Sequence, residues 1–144
     1  MNQNTSLLAP FYLIAATLIG LGDTLFLSYY QFLNLIPSCA IGGCEIVLTS
    51  AYSKVFGIPL SYIGLVYYVY MLALLALLVV DPKSKGLRWG VLLYATVGLL
   101  HSIAFEGIQL SLIGALCMYC GISALVTLVL FCLALWHFRA TKNA

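Results

Sequence analysis

Five cysteines stand in the chain, at Cys39, Cys44, Cys117, Cys120 and Cys132, and four of them fall into two closely spaced pairs. Cys39 and Cys44 enclose Ala40, Ile41, Gly42 and Gly43, a stretch that can fold back and bring the two sulfurs to bonding distance. Its two glycines also let the loop move, so that Cys44 can leave Cys39 for another partner. Cys117 and Cys120, in Cys-Met-Tyr-Cys, open an apolar run that reads as a helix, with Cys117 in or just before the first turn. Unpartnered backbone N–H groups and the positive end of the helix dipole favour a thiolate there. One pair is therefore suited to carry electrons and the other to react, and the chemistry they share is thiol–disulfide exchange.

Blander uses of the same residues have to be weighed. Two static disulfides would need no mobility, but an i, i+3 pair opening a helix is more often a redox arrangement than a staple. A four-thiolate zinc site is possible by residue count. Its spacing, Cys-x4-Cys followed some seventy residues later by Cys-x2-Cys, is not a usual finger spacing, so no metal is expected. Cys132, alone in an apolar run, reads as small core packing.

The elements that must position these thiols follow from composition. Of 144 residues, 64% are hydrophobic and 7% charged, with a mean hydropathy of +1.11, which excludes a soluble domain because a water-facing surface needs more charge. A net charge of +2 without a basic run excludes nucleic acid as a partner. Four stretches read as spans: Phe11 to Leu33, Ile58 to Val80, Trp89 to about Leu112, and Cys117 to Phe138. Each can cross about 30 Å of hydrocarbon as a helix. The expected fold is an all-α membrane protein, a four-transmembrane-helix bundle forming a single integral domain over residues 1–144. Met1 to Pro10 carries no basic residue and the first apolar run is long, so this span reads as an anchor rather than a cleaved signal.

Orientation comes from counting Lys and Arg. Asp81 to Arg88 holds Lys83, Lys85 and Arg88, and the tail holds Arg139 and Lys142, whereas only Lys54 faces the other way. The positive-inside rule puts both termini in the cytoplasm and puts Asn34 to Gly57 outside, with the start of span four. Pro82 and Gly86 mark the cytoplasmic turn; Pro37, Gly42, Gly43, Gly57 and Pro59 punctuate the outer loop. This topology was assigned without the cysteines, yet it sends all four paired ones to the outer face, where an oxidising environment lets them cycle through disulfides.

These motifs resemble the vitamin K epoxide reductase (VKOR) family in its prokaryotic branch. The likeness runs through Cys39-x4-Cys44, Glu45-Ile-Val-Leu-Thr-Ser50, Phe56-Gly-Ile-Pro-Leu-Ser61, Gly64 and Cys117-x2-Cys120, and covers nearly the whole chain. DsbB-type disulfide-forming proteins also combine four helices, two cysteine pairs and quinone, but with the two pairs in the reverse order. Two departures stand out: a loop pair closer together than in some members, and Met118 where many prokaryotic members have proline. The resemblance implies a quinone, ubiquinone or menaquinone, enclosed by the bundle near Cys117 and Cys120, with Ser50 on a short helix between spans one and two capping it. It also implies roles. Cys39 takes electrons from a reduced partner, Cys44 passes them to Cys117 through a transient inter-pair disulfide, and Cys120 faces the quinone. Some homologues carry a fused thioredoxin-like domain, and only six residues follow Phe138 here. The implied partner is thus a separate thioredoxin-like protein of the DsbA type, outside a prokaryotic cytoplasmic membrane.

Other polar residues lie within the spans. Asp23, about 18 Å along a helical rise from Phe11, is either a proton carrier for the quinone or a neutral acid hydrogen-bonded between helices. Glu106 is expected at the outer end of span three, hydrated at the interface or else touching the quinone, His101 in hydrogen-bonded packing rather than catalysis, and His137 at the cytoplasmic interface. The two histidines lie about 20 Å apart in depth, too far to ligate one haem. Ser61, Gly64, Tyr67 and Tyr68 are candidates to line the quinone pocket, although small residues at helix contacts and an aromatic belt explain them equally well. Phe105, Gln109 and Leu110 are further candidates. The expected activity is that of a thiol:quinone oxidoreductase making disulfides. One rival is a vitamin K or epoxide reductase in a carboxylation cycle, disfavoured by Leu60 where the animal enzymes have asparagine. The other is a non-enzymatic bundle braced by structural disulfides.

Overall fold

The computed structural model describes residues 3–143, so Met1 and Asn2 of the segment expected before the first span, and Ala144 of the expected tail, lie outside the described residues. Helix α1 covers Gln3–Phe32 and the short α2 Cys44–Thr49. Strands β1 (Lys54–Val55) and β2 (Ile58–Pro59) form a small antiparallel hairpin. Three long helices follow: α3 (Leu60–Val80), α4 (Lys85–Ile108) and α5 (Met118–Lys142). Four segments are long and apolar enough to cross a membrane: Leu8–Phe32, Leu60–Val80, Lys85–Ile113 and Met118–Lys142. The architecture is the expected four-helix membrane bundle.

Helix α1 packs on both α3 and α5, and α4 packs on α5 and more sparsely on α3. The outward surface is apolar, with Phe11, Ile19, Val66, Leu100 and Leu125 all exposed, as a lipid-facing surface requires. Two threonine hydroxyls of α1 are satisfied locally: Thr17 donates to the Leu13 carbonyl at 2.8 Å and Thr24 to that of Gly20 at 3.0 Å. Two buried clusters fill the interior. The larger includes Leu13, Tyr68, Met71, Leu75, Val91, Leu130 and Ala134; the smaller consists of Cys44, Val47 and Cys117.

Some boundaries differ from those read in the sequence. The third span starts at Lys85 rather than Trp89, because Ser84 caps it by accepting a hydrogen bond from the Leu87 N–H. Gly86 consequently lies inside the helix rather than in the turn. Arg88 lies on the first turns of α4 and donates to the Pro82 carbonyl from Nε at 3.0 Å and Nη2 at 2.6 Å. The last span runs on to Lys142, taking in Arg139. Trp89 and Phe138 have ring centroids 4.7 Å apart, so the basic residues of the α3–α4 turn and of the end of α5 share one end of the bundle. Span two starts at Leu60, since Ile58 and Pro59 pair with β1; Phe56 and Gly57, with φ of 51° and 81°, make the hairpin turn.

Candidate functional site

At the end of the bundle opposite the α3–α4 turn the four paired cysteines converge. Cys39 and Cys44 are joined by a disulfide, and Cys117 and Cys120 are free thiols. Cys44 opens α2 and is fully buried; Cys117 is the N-cap of α5 and 2% exposed. Their sulfurs lie 3.6 Å apart, van der Waals contact for two sulfurs. Cys39 is half-buried, on the open side of the cluster, and Cys120 lines an internal cavity. Read from the surface inwards, the order is Cys39, Cys44, Cys117, Cys120.

Several local devices produce this contact. Gly43 adopts a left-handed conformation, φ 89°, and lies so close to the chain before α5 that a Cβ there would stand 2.7 Å from the Leu116 carbonyl oxygen. No other residue type permits both the turn and the approach. Tyr119, between the two inner cysteines, donates its hydroxyl to the Ser38 carbonyl at 2.9 Å and ties the loop beside Cys39 to α5. From the α4 side, Gln109 is fully buried and its Oε1 accepts the Cys117 N–H at 2.8 Å. Its backbone carbonyl takes the N–H groups of Gly114 and Ala115 at 2.8 and 3.3 Å, where the last turn of the span, Gln109–Ile113, widens to a π-helix.

The Cys117 thiol is held down to about 7, chiefly by a hydrogen bond from the Cys120 thiol, helped by the backbone N–H groups of Cys120 and Tyr119 and opposed by burial. A group lowered in this way is a thiolate above that pH and a thiol below it. Alkylation of the reduced pair at Cys117 is thus expected to rise with pH around a midpoint near 7. The midpoint should move up in Cys120→Ala, which removes that donor; mass-spectrometric alkylation rates across pH check both, and a midpoint at the ordinary thiol value in the native chain contradicts the geometry.

Beneath the sulfurs lies a cavity of about 270 Å³ between the two buried clusters. Leu27, Val47, Leu48, Ile63, Val97 and Phe105 give it apolar walls, and Asp23, Ser61, Tyr68, His101 and Glu106 are its principal polar groups. Ser61 donates to the Gln31 side chain, and Tyr68 shares a hydrogen bond with the Ser123 hydroxyl at 2.9 Å. Of the residues read as cofactor-binding, Ser61 and Phe105 line this cavity and Ser50 and Gln109 do not. Ser50 follows α2 as its C-cap, its hydroxyl turned back to the Val47 carbonyl at 2.7 Å, and it faces a separate outer recess; Val47, Leu48 and Ser53 cover the cavity instead. Gln109 is occupied by Cys117 and by Glu106, whose Oε1 accepts from Nε2 at 3.3 Å.

Other expectations also change. Leu110 is 64% exposed on the outside, since the π-helical turn rotates it away. Glu106 and His101 both border the cavity, not hydrated interface and packing alone. His137, read as an interface residue, is 4% exposed within the bundle. Cys132 faces outwards rather than into the core.

Tyr119 was missed in the sequence, and Gly43 was read there only as a source of loop mobility. The signal for Gly43 was its place beside Cys44, but only the fold reveals the strand of chain it must admit.

The arrangement is competent for stepwise disulfide exchange from the surface to a buried, largely apolar chamber. Its likeness to known proteins agrees. Residues 11–135 match the model of the Vitamin K epoxide reductase family. Over 120 residues the chain is 34% identical to the thiol-disulfide oxidoreductase LTO1 of Arabidopsis thaliana, an alignment covering 78% of this chain and 32% of that protein. The chain thus spans about a third of the relative's length. With the family match running through every paired cysteine, this chain belongs to the vitamin K epoxide reductase family.

Proposed function

We propose that the protein is a membrane thiol:quinone oxidoreductase that reoxidises a thioredoxin-like, DsbA-type partner outside the cytoplasm and so drives disulfide formation. The observation that carries this reading is the 3.6 Å approach of Cys117 Sγ to Cys44 Sγ, with Cys39 on the open side and Cys120 on the cavity wall. A partner thiolate attacks Cys39 and releases Cys44; the partner's second thiol then resolves that bond and frees Cys39. The Cys44 thiolate attacks Cys117, breaking Cys117–Cys120 and leaving Cys120 free. Cys39 next attacks Cys44, restores the loop disulfide and releases Cys117 as the thiolate. Two electrons have then moved inward, and the loop pair is bonded while both inner sulfurs are free, the bonding pattern of this structure.

The cavity suits a lipid-soluble ring: apolar walls with a few polar groups that can orient it. Phe105, Leu27 and Val97 would hold the ring, with the Ser61 and Tyr68 hydroxyls near its oxygens. A quinone, ubiquinone or menaquinone, would supply a two-electron, two-proton acceptor there. Ile63 and Val97 border the cavity and are also exposed on the outside of the bundle, so such a molecule would enter from lipid on their side. In this reading the chain is a single integral membrane domain, with Lys83, Lys85, Arg88, Arg139 and Lys142 at a cytoplasmic end that includes both termini.

The test is quinone reduction by the purified protein in detergent micelles, followed optically with a reduced thioredoxin-like donor. Reduction is expected only when donor and protein are both present; donor oxidation without loss of quinone contradicts the proposal.

A further inference from the structure

The thiol relay leaves one requirement unmet. When Cys44 opens the Cys117–Cys120 bond, the Cys120 sulfur departs as a thiolate into a largely apolar chamber, where an unpaired charge is costly. A proton source beside it would lower that cost. Asp23 is placed to be one, and its neighbours on α1 fix its level in the bundle. Three residues earlier, Gly20 is in close contact with Tyr68, whose hydroxyl reaches Ser123 on α5. One residue later, Thr24 packs against Gly64 of α3. Three residues later, the Phe26 ring lies 5.3 Å from that of Tyr119. Asp23 is therefore at the depth of the Tyr119–Ser123 turn of α5, which contains Cys120, and the two residues line the same cavity.

Asp23 is also uncommitted. Its Oδ2 is buried and has no hydrogen-bond partner among the described residues. The other titratable groups of the chamber are Cys120 on α5, Tyr67 and Tyr68 on α3, and His101 and Glu106 on α4. Tyr68 is engaged with Ser123, Tyr67 with the Tyr94 carbonyl and Glu106 with Gln109. Among the described residues no Lys or Arg borders the cavity.

Resting on the relay proposed above, we infer that Asp23 is the proton donor and acceptor for Cys120. As Cys44 attacks Cys117, the Cys44–Cys117 bond forms, the Cys117–Cys120 bond breaks, and the Asp23 carboxyl gives its proton to the departing Cys120 sulfur. When the inner pair is oxidised again, Cys120 returns that proton to the Asp23 carboxylate as the Cys117–Cys120 bond closes; two electrons leave for the quinone, which takes its two protons from water and so balances the two that the partner's dithiol released to it. The proton thus shuttles within the protein. Asp23 is used in both directions.

The test needs no quinone. In Cys39→Ala, the Cys117–Cys120 disulfide is accumulated at acid pH, where exchange is frozen. A jump to neutral pH starts attack by Cys44, and acid quenching with mass spectrometry times the Cys44–Cys117 bond and the freed Cys120. Adding Asp23→Asn is expected to slow this step by about 10²-fold, the usual scale of a lost general acid. Asp23→Glu should restore it to within about tenfold. A rate in Asp23→Asn within about threefold of that with Asp23 overturns the inference. If Cys44–Cys117 never forms even with Asp23 present, the relay fails and the inference with it. A second measurement is independent of substitution. The chain holds two aspartates, Asp23 and the exposed Asp81, so isotopically labelled aspartate isolates few infrared carboxyl bands. Opening the inner disulfide should diminish a protonated aspartic acid C=O stretch, and an unchanged band overturns the assignment.

Discussion

Cys39→Ala comes to rest as the Cys44–Cys117 disulfide, and its donor-driven turnover falls by about 10³-fold or more, the scale of losing an essential group in a covalent sequence. The result follows from the order of the four sulfurs. With Cys39 gone, Cys44 has no bond to return to, yet it keeps the Cys117 sulfur at 3.6 Å. Exchange therefore proceeds one step and stops. Peptide mapping without reduction should recover the segment around Cys44 linked to that around Cys117, and Cys120 should take up an alkylating agent. Cys120→Ala removes the competing partner from the other side and favours the same inter-pair bond. Cys132→Ala is the contrast: its thiol faces outwards, away from the site, and its removal should leave turnover unchanged. A Cys44 that stays fully alkylatable in Cys39→Ala would break the proposed order.

How much of this was legible in the sequence depends on what kind of signal each residue sent. The paired thiols were legible because chemistry needs that residue type at that spacing, and the spans because length and apolarity are read directly. The side of each helix that faces inwards was not. In a bundle surrounded by lipid, inner and outer faces are both apolar, so the periodicity that marks the buried stripe of a soluble helix is nearly erased. That is why Cys132 was read as core and His137 as interface, with both reversed in the structure. Gln109 and Leu110 moved for another reason: one widened turn at the end of a helix rotates every later side chain, and no residue in Gln-Leu-Ser-Leu-Ile announces it. Ser50 was assigned to a short helix that ends one residue before it. Asp23 was visible as an ionisable group at depth, but its nearness to Cys120 depends on the Gly20–Tyr68 and Phe26–Tyr119 contacts, which are properties of packing.

Gly43→Val should reduce turnover by about 10²-fold while removing none of the four paired thiols. The loss arises from position alone. Gly43 holds φ at 89°, a region closed to β-branched side chains, and a Cβ at this residue would stand 2.7 Å from the Leu116 carbonyl oxygen. Backbone atoms cannot give way as the end of a flexible side chain can, so the loop must retreat from the segment before α5. Cys44 is the next residue and retreats with it. Exchange between two sulfurs requires contact, and a displacement of about 1 Å in a reacting group can cost about 10²-fold in rate. The Cys39–Cys44 bond lies within the loop and survives the shift, so the partner should still reduce it at the normal rate. Kinetics should therefore split: fast oxidation of the first donor equivalent, followed by slow transfer to Cys117. A uniform slowing of both phases, or no slowing at all, would mean that the loop pair does not depend on this contact to reach the inner pair.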